Sequence, residues 1–291
     1  MKRTIKYIIE QEHDGLLIKQ YLKKQGYSSS VLTKLKQTDD GILLNGERAF
    51  VNKALHTADE LTVNIRDNEN SCAPEAIDVE ILYEDNDIIV YNKPSDMVVH
   101  PTKKLQSGTL ANAFYHHVGA DENCVYRPVY RLDKHTTGVV VVAKHKLACA
   151  ILSANVKKKY ICICEGELSE SGTFNDSIAL SDSSKLKRCL SEHGQSAITH
   201  FRRIATNGAY SVASVWLETG RTHQIRVHFS GNGYALVGDF LYGNQQHEGD
   251  RYLLHCCEVE FVHPVSKENI SIKAQVPQDM LKFSEENGIS F

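Results

Sequence analysis

The sequence lacks the long apolar runs of a membrane protein. It also lacks the excess of positive charge that would by itself indicate a nucleic-acid-binding protein. In 291 residues, no window approaches the roughly 18 consecutive apolar residues of a membrane-spanning helix. The segment from Met1 to Asp14 has no apolar core of signal-peptide length, and we therefore expect a cytoplasmic protein. The net charge is only −3, so any surface for an acidic partner must be a local basic patch.

Motifs for metals and nucleotide cofactors are also missing. Cys162 and Cys164 lack the paired spacing of a zinc site, although the chain has 8 cysteines and 14 histidines. His223 and His228 are five residues apart, whereas two metal ligands on one helix face are four apart. No glycine-rich phosphate loop of the Walker or dinucleotide type occurs. We therefore predict no metal and no cofactor, and we interpret the scattered cysteines as reduced thiols.

The composition is that of an ordinary globular protein, with 42% apolar and 24% charged residues, and one polar break divides it. The segment from Asp67 to Glu75 carries the first proline and has no periodicity, which indicates a linker. We predict a small domain over residues 1–70 and a larger one over residues 71–291. In the small domain, apolar periodicity predicts two short helices between strands, and Asn45-Gly46 predicts a hairpin.

The two predicted helices of the small domain share a basic face. Between residues 15 and 38 the sequence has no carboxylate and five lysines, namely Lys19, Lys23, Lys24, Lys34 and Lys36. Such a face suits an RNA backbone because lysine–phosphate contacts release counterions, although a merely solvated lysine face fits the composition equally well. The order of helix, serine-rich turn, helix, strand and Asn-Gly resembles the small S-four-like RNA-binding domain over about residues 14–66. That resemblance implies RNA binding through Lys19, Lys23, Lys34 and Lys36.

The most informative stretch lies in the larger domain. Arg131-Leu132-Asp133 falls on a predicted turn, and Gly138 then leads into four valines that predict a buried strand. A carboxylate at such a junction can hold a reactive group, because the strand fixes the loop. By itself, however, an exposed Arg–Asp turn explains these residues as well.

Three further motifs follow this stretch along the chain. Tyr160 lies on a predicted strand that starts with three lysines and turns apolar. The segment Gly-Arg-Thr-His-Gln-Ile-Arg-Val-His predicts a helix that Thr222 caps and that carries Arg226. The pairs Leu254-His255 and His263-Pro264 complete the series. Each motif alone has an ordinary structural explanation, such as a half-buried strand tyrosine.

Together, the four motifs resemble those of the RluA-type pseudouridine synthase family over about residues 77–275. The usual His-Arg-Leu-Asp-x-x-Thr-Ser-Gly occurs here with Tyr130 in place of His and Thr137 in place of Ser. The resemblance implies an α+β fold with a mixed, largely antiparallel central sheet, flanking helices and a central cleft, preceded by a small α/β RNA-binding domain. It also implies an isomerase that converts uridines of large-subunit ribosomal RNA or transfer RNA to pseudouridine.

The resemblance further implies a role for each motif residue. Asp133 would be the nucleophilic or proton-abstracting carboxylate, with Arg226 as its ion partner. Tyr160 would stack on the uracil and move a proton, and Leu254 would form the apolar wall opposite. Arg131 would fill the space that the flipped-out base leaves in the RNA stack.

Two other functions remain open on the sequence. A non-catalytic RNA-binding factor could be built on the synthase fold, although the intact Asp133, Tyr160 and Arg226 disfavour it. A metal-dependent hydrolase would need ligand spacings that the histidines and cysteines do not have. For the synthase, the expected partner is RNA, bound by a monomer without membrane contact.

Overall fold

The structure, a computed structural model, describes residues 2–66, 72–103, 105–119, 125–181, 184, 186–243 and 251–291. Most of the predicted linker, residues 67–71, lies outside this part of the chain. Within the described ranges, none of the helices combines the length and the apolarity that a bilayer crossing requires.

The first 66 residues form a four-stranded antiparallel sheet that packs with two short helices. The elements are, in chain order, β1 (Lys2–Ile8), α1 (Ile18–Lys24), α2 (Ser29–Lys36), β2 (Ile42–Leu44), β3 (Glu47–Arg48) and β4 (Glu60–Arg66). A short 3-10 turn lies between β1 and α1. The strand order is β1-β4-β2-β3. Ser28 caps α2 by accepting a hydrogen bond from the backbone N–H of Val31. Asn45 and Gly46 take φ angles of 53° and 84°, as the predicted two-residue hairpin requires.

The remainder of the described chain is built on a ten-stranded sheet. Its elements and the short hairpin β11–β12 are β5 (Ile81–Glu84), β6 (Ile88–Lys93), α3 (Leu110–Val118), β7 (Arg127–Pro128), β8 (Thr137–Ala143), α4 (Lys146–Leu152), β9 (Lys157–Glu165), β10 (Ser171–Phe174), β11 (Ile178–Leu180), β12 (Arg188–Leu190), β13 (Thr199–Thr206), β14 (Tyr210–Leu217), α5 (Gln224–Gly231), β15 (Leu254–Val262), β16 (Asn269–Lys273) and α6 (Gln278–Glu286). The order is β10-β13-β14-β9-β15-β8-β6-β5, with β16 on β15 and β7 on β8. Only β8 and β15 pair in parallel among these strands. The prediction of a mixed, largely antiparallel sheet with flanking helices is confirmed.

The position of strand β8 in the sheet explains why it has four valines and a glycine before them. The valines are fully buried in the main apolar core, between β6 and β15. Gly138 has a φ of 108°, and a Cβ atom there would lie 2.2 Å from the backbone oxygen of Cys256. A side chain at this position would separate β8 from β15. The glycine therefore lets the loop that carries Asp133 lie directly beside the strand that carries Leu254.

The two sheets contact each other more closely than the predicted linker suggests. Leu147 of α4 is only 1% exposed and is buried in the apolar core of the first sheet. Arg3 of β1 donates hydrogen bonds to both carboxylate oxygens of Asp87, at 2.6 and 3.0 Å. The ring of His145 is hydrogen-bonded to the same carboxylate at 2.9 Å. The N-terminal sheet is thus held against the larger one by apolar packing and a partly buried ion pair, while a domain boundary near residue 70 stays a prediction.

The predicted cap of α5 is wrong. The helix begins at Gln224, and its N-cap is His223, which takes a left-handed conformation with φ 57° and ψ 20°, and not Thr222. The side chain of Gln224 accounts for the shift, because its Oε1 accepts a hydrogen bond from the backbone N–H of Arg221 at 2.9 Å. An amide inside the helix therefore fixes the turn that a threonine cap would otherwise fix.

Candidate active site

The five site residues predicted in the larger unit come together in one cleft. The cleft has a volume of about 690 Å³ and lies between the loop before β8, strand β9, the β14–α5 loop and the start of β15. The predicted residues that line it are Arg131, Asp133, Tyr160, Arg226 and Leu254. The four predicted RNA-binding lysines lie apart from this cleft, on α1 and α2 of the first sheet, and all four are exposed.

Asp133 lies on the turn before β8, with its side chain 29% exposed to the cleft. The backbone N–H of Thr136 donates to the Asp133 carbonyl at 3.1 Å and closes the turn. The Nη1 atom of Arg226 lies 3.4 Å from the Oδ2 atom of Asp133. A carboxylate in this position can act as a nucleophile or base, with the guanidinium as its neighbouring positive charge.

A second carboxylate holds Arg226 much more tightly than Asp133 does. The Nε and Nη2 atoms donate to the two oxygens of Asp239 at 2.8 and 2.9 Å, and both side chains are almost fully buried. The guanidinium carbon lies 4.0 Å from the ring centroid of Tyr252 and 4.9 Å from that of Tyr242. Burial opposes the charge, but the hydrogen bonds to Asp239 raise the pKa of Arg226 above its ordinary value. A fixed, permanently charged group therefore faces Asp133.

Asp239 was not among the residues predicted from the sequence, because its position depends on a close backbone approach at Gly238. Gly238 has a φ of 77°, and a Cβ atom there would lie 2.3 Å from the backbone oxygen of Arg251. The close approach turns the chain so that the next side chain points into the protein interior. A glycine followed by a carboxylate that the fold buries completely indicates a charge held for a partner.

Tyr160 and Leu254 form the apolar part of the cleft. Tyr160 is buried on β9, and burial raises the pKa of its hydroxyl well above the ordinary value. The hydroxyl therefore stays protonated at neutral pH and can donate a proton or a hydrogen bond. Strand β15 pairs with β9 so that Cys256 lies opposite Tyr160 and Leu254 lies opposite Cys162. A flat ring entering the cleft would meet the tyrosine and the leucine on neighbouring strands.

Arg131 and Lys158 are further cationic side chains that line the cleft. Arg131 is exposed at the rim, two residues before Asp133. Lys158, which the sequence analysis did not single out, places its ammonium group 4.8 Å from the ring centroid of Tyr130. Burial lowers the pKa of Lys158. Tyr130, which replaces the usual histidine of the motif, donates its hydroxyl to the carbonyl of Val139 at 2.9 Å and so supports the loop from the strand.

Lys93 anchors the loop of Asp133 from the protein interior. Its Nζ atom is buried and donates to three backbone carbonyl oxygens, those of Pro94 and Met97 at 2.8 Å and that of Lys134 at 3.0 Å. Burial lowers the pKa of Lys93 to about 7, while the charge of Asp133 opposes the shift. Because Lys134 follows Asp133 directly, the ammonium group ties the position of the Asp133 loop to the end of β6.

One group among the described residues has the spacing of a metal site, and a cationic side chain already occupies it. The ligand atoms of Asp85, Asp87 and His263 lie within 4.8 Å of one another. Asp87 uses both oxygens for the guanidinium of Arg3 and one of them also for His145. Asp85 accepts two backbone N–H groups, at 2.7 and 2.8 Å. We therefore assign this group to the contact between the two sheets.

Comparisons with known proteins point to one enzyme family. The sequence profile described as RNA pseudouridylate synthase matches residues 87–231. An uncharacterized RNA pseudouridine synthase of Bacillus subtilis (strain 168), YhcT, is 37% identical over 288 residues, which cover 96% of this chain and 95% of the relative. The ribosomal large subunit pseudouridine synthase D of Zymomonas mobilis is 36% identical over 228 residues, or 71% of this chain and 72% of the relative.

Solved structures agree on the fold. The human RNA pseudouridylate synthase domain containing 1 superposes with a TM-score of 0.56 over 72% of this chain and 95% of its own. The human RNA pseudouridylate synthase domain containing 4 superposes with a TM-score of 0.57 over 72% of this chain and 94% of its own. The sequence identities are 21% and 20%, so these similarities concern the fold alone.

Proposed function

The chain belongs to the RNA pseudouridylate synthase family, in its RluA-type branch, and is an RNA pseudouridine synthase; from this premise we propose that it uses Asp133 to isomerise uridines of ribosomal or transfer RNA. The observation that carries the proposal is the chain of contacts from Asp239 through Arg226 to Asp133 at the edge of a cleft that also holds Tyr160 and Leu254.

The reaction needs no redox partner and no energy source. The bond between ribose carbon 1′ and uracil nitrogen 1 breaks, and a bond between carbon 1′ and uracil carbon 5 forms. The hydrogen on carbon 5 leaves as a proton, and nitrogen 1 gains one, so the atoms balance within the nucleotide. A carboxylate, a base-stacking ring and a proton-bearing hydroxyl meet these needs, and the cleft offers Asp133 and Tyr160 for them.

Each residue has a role that follows from its surroundings. Asp133 would attack the ribose or the base as the carboxylate, with the guanidinium of Arg226 beside it as the positively charged partner. Tyr160 would stack on the uracil and donate from its protonated hydroxyl, with Leu254 as the apolar wall on the neighbouring strand. Arg131, exposed at the rim, would fill the gap in the RNA stack after the base has flipped into the cleft.

The N-terminal unit would bind the RNA backbone, as an S-four-like domain does. Lys19, Lys23, Lys34 and Lys36 are all exposed, which phosphate contacts require. Phe50 lies beside α1, because the backbone N–H of Lys19 donates to the carbonyl of Val51 at 2.8 Å. The Phe50 ring is 67% exposed and lies 5.7 Å from the guanidinium carbon of Arg48. An exposed ring among cations suits an unpaired base as well as the backbone.

The names of the relatives support a choice of substrate class. Several similar proteins are named ribosomal large subunit pseudouridine synthase D, so we propose large-subunit ribosomal RNA as the first substrate to test and transfer RNA as the second. The enzyme would work as a monomer in the cytoplasm without a metal or cofactor.

A tritium-release assay tests the proposal. Large-subunit ribosomal RNA and transfer RNA, each labelled with tritium at uracil carbon 5 and taken from cells that lack this protein, are incubated with wild-type protein and with the Asp133→Asn variant. We expect release from one RNA by the wild type only. Release by Asp133→Asn at a tenth or more of the wild-type rate would remove Asp133 from the reaction. Tight RNA binding by the wild type without release from any RNA would favour a non-catalytic RNA-binding factor.

A further inference from the structure

His223 is held in a backbone conformation that few residues other than glycine adopt. Its φ of 57° places it in the left-handed region, at the junction between the β14–α5 loop and the helix that carries Arg226. Such strain persists only where the surroundings fix the residue, and it clusters at functional sites. The conformation directs the imidazole of His223 into the same cleft as Asp133.

The hydrogen bonds around His223 favour one of its two tautomers. The hydroxyl oxygen of Tyr242 accepts the backbone N–H of Arg188 at 2.9 Å. Its own proton is therefore available for the Nδ1 atom of His223, which lies 2.7 Å away. Burial lowers the pKa of His223, although Asp133 opposes the shift, so the ring is neutral near pH 7. A neutral imidazole that accepts at Nδ1 bears its proton on Nε2.

The Nε2 atom of His223 and the guanidinium of Arg226 face the same oxygen of Asp133. Nε2 lies 3.9 Å and the Nη1 atom of Arg226 lies 3.4 Å from Oδ2. The Oδ1 atom makes no hydrogen bond to the residues that the structure describes. Arg226 and His223 therefore both lie on the Oδ2 side of the carboxylate.

We propose that His223 is a positioning residue for Asp133, with its Nε2–H directed at Oδ2 and its tautomer fixed by Tyr242, so that Oδ1 is the reacting oxygen. The proposal rests on the proposed role of Asp133 as the reactive carboxylate. It extends the chemistry of the cleft by a hydrogen-bonded chain from the backbone of Arg188 through Tyr242 to His223, whose Nε2 atom lies 3.9 Å from Asp133. The chain explains why a strained histidine, and not glycine, precedes the helix.

Two substitutions of His223 separate the effect of its Nε2–H donor from the effect of its strained backbone conformation. His223→Gln places an N–H near the position of Nε2, whereas His223→Asn places one only near Nδ1 and tolerates the left-handed conformation better. We measure the single-turnover rate of tritium release at saturating RNA, the RNA dissociation constant and the thermal midpoint of each variant. We expect His223→Asn to be about 10²-fold slower at unchanged affinity, the scale of a misplaced reacting group. His223→Gln should recover most of this loss.

A substitution of the partner provides an independent test that leaves His223 in place. Tyr242→Phe keeps the ring beside Arg226 but removes the proton donor for Nδ1, so the His223 tautomer is no longer fixed. We expect a rate about tenfold lower in the wild-type background and no further loss in the His223→Asn background, since the two residues act as one unit.

The outcomes distinguish this proposal from the proposed function. An active Asp133→Asn variant would overturn the role of Asp133 and this inference with it. An inactive Asp133→Asn variant beside a His223→Asn variant of full rate would overturn this inference alone. A His223→Gln variant as slow as His223→Asn, or strictly additive effects of Tyr242→Phe and His223→Asn, would also overturn it.

Discussion

The proposed active-site cleft and the N-terminal basic face hold their charges in opposite ways. In the cleft, the side chains of Arg226 and Asp239 are 4% and 0% exposed. Removing either one leaves the other without an equally close, buried partner of opposite charge. On the N-terminal face, the lysines of α1 and α2 are exposed side chains. Breaking a buried pair costs about 3–5 kcal/mol, whereas an exposed charge contributes about 1 kcal/mol or less. Single substitutions should therefore decide the function of the cleft, and only combined ones that of the face.

The largest effect should come from Asp239→Asn. The amide keeps the shape of the carboxylate, but it removes the buried counter-charge of Arg226 and leaves only the partly exposed Asp133 at 3.4 Å. We therefore expect a loss of about 3–5 kcal/mol in the free energy of unfolding. The rate of tritium release should fall by at least about 10³-fold, because Arg226 would no longer be held towards Asp133. Urea denaturation and single-turnover assays measure the two effects.

Arg251 and Asp279 provide the matched control for this pair. They form the same two-pronged contact, at 2.6 and 2.9 Å, but the carboxylate is 47% exposed. We expect Asp279→Asn to cost no more than about 1 kcal/mol and to leave turnover unchanged. An equal loss in the free energy of unfolding for Asp239→Asn and Asp279→Asn would show that burial does not make the pair in the cleft more important for stability than the exposed pair.

Tyr160→Phe should give the next largest effect and separates stacking from proton transfer. The variant keeps the ring and loses the hydroxyl, so RNA affinity should be unchanged while turnover falls by at least about 10²-fold, the usual scale of a lost general acid. Tyr160→Leu removes the ring as well and should also weaken binding. A Tyr160→Phe variant with wild-type turnover would restrict this residue to stacking.

The pH dependence of stability should also distinguish the two regions. Burial lowers the pKa of His255, beside Leu254, to about 4, against about 6.5 in an unfolded chain. The unfolded chain therefore binds a proton that the folded protein does not, and the free energy of unfolding falls as the pH drops from about 6.5 to about 4. Between pH 7 and pH 5 this accounts for up to about 2 kcal/mol.

Urea midpoints at pH 7 and pH 5 check this prediction. His255→Gln, which cannot charge, should lose that part of the pH dependence. His56→Gln, at an exposed histidine of the N-terminal unit, should keep it. The same pH dependence in the wild type and in His255→Gln would contradict the assignment.

The smallest effect for each residue should occur on the N-terminal face. Replacing Lys19, Lys23, Lys34 and Lys36 together by glutamine should weaken RNA binding by roughly tenfold and flatten its salt dependence by about one unit for each lysine that contacts a phosphate. Filter binding at several salt concentrations measures both quantities. The control is the double variant Lys273→Gln and Lys282→Gln, two exposed lysines far along the chain from this face. An equal loss in the control would show that only net charge matters.

The sequence predicts features that depend on neighbouring residues better than features that depend on distant contacts. The placement of Asp133, Tyr160 and Arg226 in one cleft was predictable because each belongs to a short motif whose local structure presents it, namely a turn before a buried strand, a strand and a helix. Local patterns also predicted the Asn45-Gly46 hairpin, which depends on neighbouring residues.

Features that depend on tertiary contacts were not predictable. Asp239 matters because Gly238 lets the chain pass close to Arg251, and no pattern in the sequence reports that approach. The pair of Arg3 and Asp87, 84 residues apart, holds the two sheets together across a segment that composition identifies only as a linker. Likewise, the conformation of His223 follows from contacts of Gln224 and Tyr242, so the sequence favoured a threonine cap instead.

The division between a cleft that reacts and a face that binds is tested most directly with two variants on one RNA. We would measure the single-turnover rate of tritium release at saturating RNA, and the dissociation constant, for Asp133→Asn and for the variant with four lysines replaced. We expect Asp133→Asn to abolish release with affinity within about twofold of the wild type, since the amide keeps the shape and removes the charge. The lysine variant should react at the wild-type rate once saturated, but bind more weakly. Release by Asp133→Asn, or a slow lysine variant at saturation, would contradict the account.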